Sequence, residues 1–189
     1  MTERNGLVEI RWHGRGGQGA VTSAELLAKA AIGEGKYAQA FPSFGPERRG
    51  APVLAFDRIS EKKPIRVRAE VLEPDVVVVL DPSLVRIVNV TSGLRENGIV
   101  VINAKKPIEE IKAEFGNKWR VAVVDATKIA REMLGVPIVN TTMLGALLKA
   151  TGVVTVDSLV EPLRERFERL ADRNINAMKK AFEETTVKE

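Results

Sequence analysis

Residues Gly14-Arg15-Gly16-Gly17-Gln18-Gly19-Ala20 put four glycines into six positions, directly after the short apolar stretch Leu7 to Trp12 and directly before an alanine-rich segment. Glycine is needed where backbone turns sharply or lies close against another group, and the N–H groups of a first helical turn attract phosphate. The chemistry this spacing points to is the binding of a phosphate-bearing ligand. Gly14, Gly16 and Gly19 satisfy G-x-G-x-x-G, but the dinucleotide fingerprint also wants an acidic residue about 20 positions on for the ribose hydroxyls. The next strand candidate, Tyr37 to Phe41, ends in Pro42-Ser43 instead. Gly14 and Gly19 also fit G-x-x-x-x-G, yet Ala20 and Val21 stand where Lys and Ser/Thr would bind phosphate and magnesium. Nicotinamide redox chemistry and ATP hydrolysis both lose ground. The plainer alternative is that the glycines only permit a tight strand-to-helix turn and close packing.

Other reactive groups are few. The chain has no cysteine, so thiolate nucleophiles, disulfides, iron–sulfur ligation and zinc-thiolate sites are excluded as its own contribution. Its single histidine, His13, rules out multi-histidine metal sites and makes a hydrolytic triad improbable. The net charge of +4 is unevenly placed. Arg48, Arg49, Arg58, Lys62, Lys63, Arg66 and Arg68 against Asp57 and Glu61 give +5 between residues 48 and 68, and the remainder sums to −1. Such a stretch suits a polyphosphate ligand or an acidic partner. Nucleic acid is disfavoured, because only Phe56 interleaves with these charges and no stacking or helix-turn-helix motif accompanies them. For residues 58–68 a solvated hairpin is the simpler expectation.

The elements that position these residues follow from periodicity. Leu7 to Trp12 reads as a first strand and Gly17 to about Ile32 as a helix ended by Gly33 and Gly35. Tyr37 to Phe41, Pro52 to Phe56 and Ile65 to Ala69 are short strand candidates, the first two separated by the basic, twice-prolined loop Pro42 to Gly50. Val76-Val77-Val78-Val79-Leu80 has no alternation, as expected of a strand covered on both faces, and Ile99 to Asn103 and Arg120 to Val124 repeat the pattern. Asp81 before Pro82 reads as a helix N-cap rather than a catalytic acid, and Asn140 as the N-cap of an apolar helix. Helical stretches are expected near Ser83 to Val88, Ile108 to Glu114, Thr127 to Leu134 and Val156 to Glu184, the last interrupted at Asp172 to Asn174. The fold class is α/β: a single three-layer α/β/α domain over residues 1–189 with a mostly parallel central sheet. Right-handed crossovers then put the glycine turn at the carboxyl end of the sheet, where such folds bind ligands. No apolar stretch approaches the roughly 20 residues that span a bilayer, and the N-terminus lacks a signal core, so a soluble, cytoplasmic protein without membrane contact is expected.

Nearly the whole chain resembles the γ subunit of 2-oxoacid:ferredoxin oxidoreductases, most closely the pyruvate type. The resemblance is carried by Gly14 to Ala20, by Phe41-Pro42-Ser43-Phe44-Gly45-Pro46-Glu47-Arg48-Arg49-Gly50-Ala51-Pro52-Val53, by Pro74-Asp75 leading into the valine run and Asp81, and by Asn140 with Met143-Leu144-Gly145-Ala146. It implies an assembly of α, β, γ and δ chains that converts pyruvate, coenzyme A and oxidised ferredoxin reversibly into acetyl-CoA, carbon dioxide and reduced ferredoxin. Thiamine diphosphate with magnesium is implied on the α and β chains and iron–sulfur clusters on the β and δ chains, with none of these cofactors bound by this chain alone, in keeping with its lack of cysteine. In related single-chain enzymes a similar domain is implicated in binding the co-substrate coenzyme A.

Coenzyme A presents a pyrophosphate and a 3′-phosphate, which call for helix N–H groups together with Arg or Lys. On that reading Gly16, Gly17, Gln18 and Gly19 cradle phosphate and Arg48 and Arg49 pair with it. The competing reading of Arg48 and Arg49 is a salt-bridged contact with a neighbouring subunit. A structural subunit that binds no small molecule, and the γ subunit of a branched-chain 2-oxoacid enzyme, are the alternatives at the level of function. A free-standing nucleotide-dependent oxidoreductase is disfavoured by the missing ribose-binding acid. Some self-association of the isolated chain, as a homodimer, is expected from an exposed assembly surface.

Overall fold

A computed structural model describes residues 6–43 and 49–189. Among these, seven strands form one sheet in the order β2-β3-β1-β4-β5-β6-β7. They are β1 (Leu7–Arg15), β2 (Tyr37–Pro42), β3 (Pro52–Ser60), β4 (Val76–Val79), β5 (Ile99–Asn103), β6 (Arg120–Val124) and β7 (Thr186–Lys188). β1, β4, β5 and β6 pair in parallel, while β3 and β2 on one edge and β7 on the other add antiparallel neighbours. All four residues of β4 are sealed from solvent, which is why the sequence there shows no polar alternation.

One face of the sheet is covered by α1 (Ala20–Gly33), α3 (Ala126–Leu134), α4 (Asn140–Thr151), α5 (Val160–Phe167) and α6 (Ala171–Glu184), which share the larger apolar core with Ile10, Trp12, Val76, Val78, Leu80 and Val101. α4 crosses α6 so closely that a Cβ on Gly145 would collide with the backbone carbonyl of Met178. The opposite face has a thinner cover. Under β4 to β6 a second core of Val77, Val79, Leu84, Val90, Val100, Ile102 and Ile111 packs beneath a single 3₁₀ turn, Pro82–Arg86, and α2 (Ile108–Glu114). Under β1 and β3 the cover is irregular chain.

Several expectations are corrected here. Ile65 to Ala69 is not a strand: its carbonyls go to side chains, Arg58 Nη1 donating to Ala69 O at 2.7 Å and Gln39 Nε2 to Ile65 O at 2.9 Å, so it lies across the sheet without joining it. Residues 58–68 therefore form no hairpin. The hairpin of this region is β2 with β3. β1 runs on through Gly14 to Arg15, and α1 begins only at Ala20, because Gly17 and Gly19 take φ of 91° and 81°, outside helical space. Asn140 is the first helical residue of α4 and makes no capping bond, Val139 holding the N-cap position. The C-terminal helical region breaks at Glu168–Leu170, where Glu168 adopts φ 44°, rather than at Asp172 to Asn174. β7 had no signal in a stretch whose side chains are all exposed.

Candidate functional site

The glycine turn sits at the carboxyl edge of the parallel strands, with Leu80 and Asp81 following β4 and Asn103 closing β5. Gly14 is closely packed: a Cβ would lie 3.2 Å from Leu80 Cδ1 and 3.3 Å from Ala20 Cβ, so both neighbours would have to give by a few tenths of an ångström. Following each N–H through the turn separates structural from open donors. Gly16 donates to Ala51 O at 2.9 Å and accepts from Gly50 N at 3.1 Å, pinning the turn to the segment after the basic loop. Gln18 N–H returns to Arg15 O at 2.9 Å, and its side-chain Oε1 accepts from Arg15 N at 2.7 Å. Gly16 and Gln18 thus hold the turn in shape with the very groups expected to meet phosphate. Gly17, Gly19 and the first residues of α1 line an open basin of about 600 Å³ with Arg15, Pro42, Ser43 and Val53.

A polar clamp the sequence reading did not foresee secures the turn from below. Arg15 Nε meets Asp81 Oδ2 at 2.9 Å, its Nη1 reaches Gly50 O at 3.0 Å, and its Nη2 reaches Ser83 Oγ at 2.8 Å. Gln18 Nε2 adds a second donor to Asp81 Oδ2, at 3.2 Å. Partial burial pushes the Asp81 carboxyl up, but hydrogen bonds from Ser83, Gln18 and Arg15 outweigh it and hold the group below the usual carboxylate range. Asp81 is the N-cap expected, accepting from Ser83 N at 2.9 Å, and the anchor of Arg15 as well. The signal for this was present, because Arg15 lies inside the glycine motif and Asp81 ends the valine run.

Of the two arginines expected at the ligand, Arg49 forms an isolated bridge with Gly16 and so stands beside the turn with its side chain exposed. Arg48 lies outside the described residues, as do Phe44 to Glu47. The rest of the basic stretch is divided. Arg58 is buried and paired with Glu9 at 2.7 Å, serving the fold, whereas Lys62, Lys63, Arg66 and Arg68 are exposed.

Next to the basin, sharing Ser43 and Val53 with it, is a cavity of about 390 Å³ lined by Arg11, His13, Leu54, Leu84, Val88 and Asn89 among others. Arg11 Nε donates to His13 Nε2 at 3.1 Å, and its terminal nitrogens serve the carbonyls of Val90 at 3.1 Å and of Ser92. Burial, and then the neighbouring Arg11 charge, push His13 down to about 3 despite a hydrogen bond with the Val90 backbone. The ring is neutral at pH 7, with Nε2 occupied as an acceptor, and has no free base to offer a substrate. On the helical face of the sheet, Trp12 Nε1 donates to Asp57 Oδ2 at 2.7 Å, and full burial raises the Asp57 carboxyl well above its ordinary value. No group of three or more His, Asp or Glu side chains able to hold a metal ion occurs among the described residues.

Residues 9–184 match the family model described as pyruvate ferredoxin/flavodoxin oxidoreductase. The chain belongs to this family. It is 55% identical over 185 residues to the pyruvate/ketoisovalerate oxidoreductases common subunit gamma of Thermococcus litoralis, covering 97% of this chain and 100% of that one. It is 52% identical over 179 residues to the pyruvate synthase subunit PorC of Methanothermobacter thermautotrophicus, covering 94% and 96%. The crystal structure of pyruvate oxidoreductase subunit PORC from Thermotoga maritima superposes with a TM-score of 0.86 at 40% identity, over 97% of this chain and 99% of that one. The chain is therefore a γ-type subunit of a multi-subunit oxidoreductase, and the mostly parallel α/β sheet is that of the family. No helix among the described residues is long and apolar enough to cross a membrane.

Proposed function

We propose that this γ subunit binds coenzyme A for a cytoplasmic pyruvate:ferredoxin oxidoreductase, holding the phosphates of the co-substrate over the glycine turn while partner chains carry out the redox chemistry. One observation carries the reading. The bridge between Gly16 and Arg49 ties the backbone of an exposed arginine to the turn whose Gly17, Gly19 and α1 start line the basin, which supports a helix N-terminus and a cation acting on one phosphate. The phosphate cradle is accordingly Gly17, Gly19 and Arg49, with Arg48, its neighbour in sequence, as a further cation. Gly16 and Gln18 shape it from behind.

The chain's part in the reaction is binding and orientation, which brings a co-substrate to a fixed place at an entropic saving. Iron–sulfur clusters fit the β and δ partners, because a chain without cysteine offers no thiolate ligand, and thiamine diphosphate with magnesium is assigned to the α and β partners by the family resemblance. Ferredoxin is then met through the complex. Relatives described as a common subunit of pyruvate and ketoisovalerate oxidoreductases fit a chain that handles the shared co-substrate and leaves 2-oxoacid choice to its partners.

The test is the double substitution Arg48→Ala with Arg49→Ala in the assembled enzyme. Coenzyme A binding through these side chains raises the apparent KM for coenzyme A about tenfold or more with the complex intact, as loss of charge-assisted bonds should. If the substitution instead dissociates the complex, the loop is an assembly contact and the subunit is a scaffold. Unchanged KM in an intact complex removes both arginines from the site.

A further inference from the structure

The N-termini of two long helices meet at the glycine turn, and neither is capped. α1 has 14 residues and α4 has 12; neither has a side-chain cap bond at its start or an acidic residue in its first turn. Their first turns are joined through Ser23, whose Oγ donates to Asn140 O at 3.0 Å and lies 3.3 Å from Gly19 O. Two positive dipole ends and their open N–H groups thus converge on one spot, with no side-chain cap and no acidic residue in either first turn.

A second observation lies in the side chain of Asn140. It is 6% exposed, yet its carboxamide has no hydrogen-bond partner among the described residues. Its atoms are not among the fully enclosed orphans such as Thr142 Oγ1, so the amide head reaches solvent. A Cβ built on Gly19 would lie 2.6 Å from Asn140 Nδ2 and 3.0 Å from its Cγ. The carboxamide therefore occupies the space of the side chain that the N-cap of α1 lacks, without bonding to any helical N–H. The amide is thus held by the fold at the mouth of a helix with its hydrogen-bonding capacity directed to solvent.

We propose that Asn140 is a ligand-binding residue, its Nδ2–H donating to an oxygen of a phosphate or pyrophosphate group seated over the N-terminus of α1. Gly19, already required by its left-handed φ of 81°, also leaves room for this amide. The inference rests on the coenzyme A reading for the identity of the ligand and on the geometry above for the group recognised.

The test is calorimetric titration of the full chain with inorganic pyrophosphate and, separately, with coenzyme A, for wild type, Asn140→Asp and Asn140→Ala. Asp keeps the shape and replaces the donor with a carboxylate, so pyrophosphate and coenzyme A should both weaken at least tenfold. Ala removes one donor and should weaken both about threefold to tenfold. The Ala arm decides the matter if the Asp variant fails to fold by thermal melting. Pyrophosphate bound through Asn140 with no competition from coenzyme A keeps this inference and removes the coenzyme A reading. Coenzyme A bound equally by all three proteins overturns the inference and leaves that reading standing. Absence of pyrophosphate binding to wild type overturns the site itself.

Discussion

On one face of β1, Ile10, Trp12 and Gly14 lie under packed helices; on the other, Glu9, Arg11, His13 and Arg15 lie under irregular chain. A helix arrives with its backbone groups already paired and needs only apolar surface beneath it. A loop arrives with free carbonyls, which buried side chains of the sheet must satisfy. Arg11 and Arg58 do this, reaching the carbonyls of Val90, Ser92, Val67 and Ala69 with the several donors of a guanidinium. The difference explains why so polar a strand is central to the sheet.

The comparison is sharpest where each cover is damaged. Gly145→Ala forces a methyl group into the Met178 carbonyl and should separate α4 from α6, costing about 4 kcal/mol or more in denaturant unfolding. A near-neutral result would mean that the helical face repacks freely. Arg11→Met keeps the volume but strands the carbonyls of Val90 and Ser92, with an expected loss of about 3 kcal/mol. Hydrogen exchange should show the segment around residues 88–94 opening while α4 stays protected; uniform loss of protection would contradict the division of the two faces.

The smallest effect is a pH dependence on the loop-covered side. His13 is depressed to about 3 in the fold and titrates near 6.5 when unfolded. The fold therefore has its full stability above about pH 6.5 and loses it as the unfolded chain takes up the proton, at up to about 1.4 kcal/mol per pH unit. Between pH 6 and 4 this amounts to about 2–3 kcal/mol, and His13→Gln should flatten that part of the profile. Equal slopes for the two proteins would show that His13 is solvated.

Much of this was legible in the residues. The unbroken apolar runs at 76–80, 99–103 and 120–124 marked the doubly covered strands, and the glycines at 14–19 marked the turn between β1 and α1. Asp81 was readable as a cap because Pro82 follows it. The misreadings share a cause. Ile65 to Ala69 has strand-like residues, but its carbonyls are claimed by Arg58 and Gln39, and a local pattern contains no record of distant donors. Asn140 stands where a cap is expected, yet it is held against Gly19, 121 positions earlier in the chain.

The order of apolar runs and glycines determined an α/β sheet with a glycine turn at its carboxyl edge, because strand burial and left-handed backbone are local demands on residue type. Only the tertiary structure decided which donors of that turn remain open. Gly16 and Gln18 have their N–H groups spent on Ala51 and Arg15, and the amide of Asn140 is brought from another helix to stand beside those left free. Hydrogen bonding is a matter of what lies within about 3 Å, and that neighbourhood is assembled by folding.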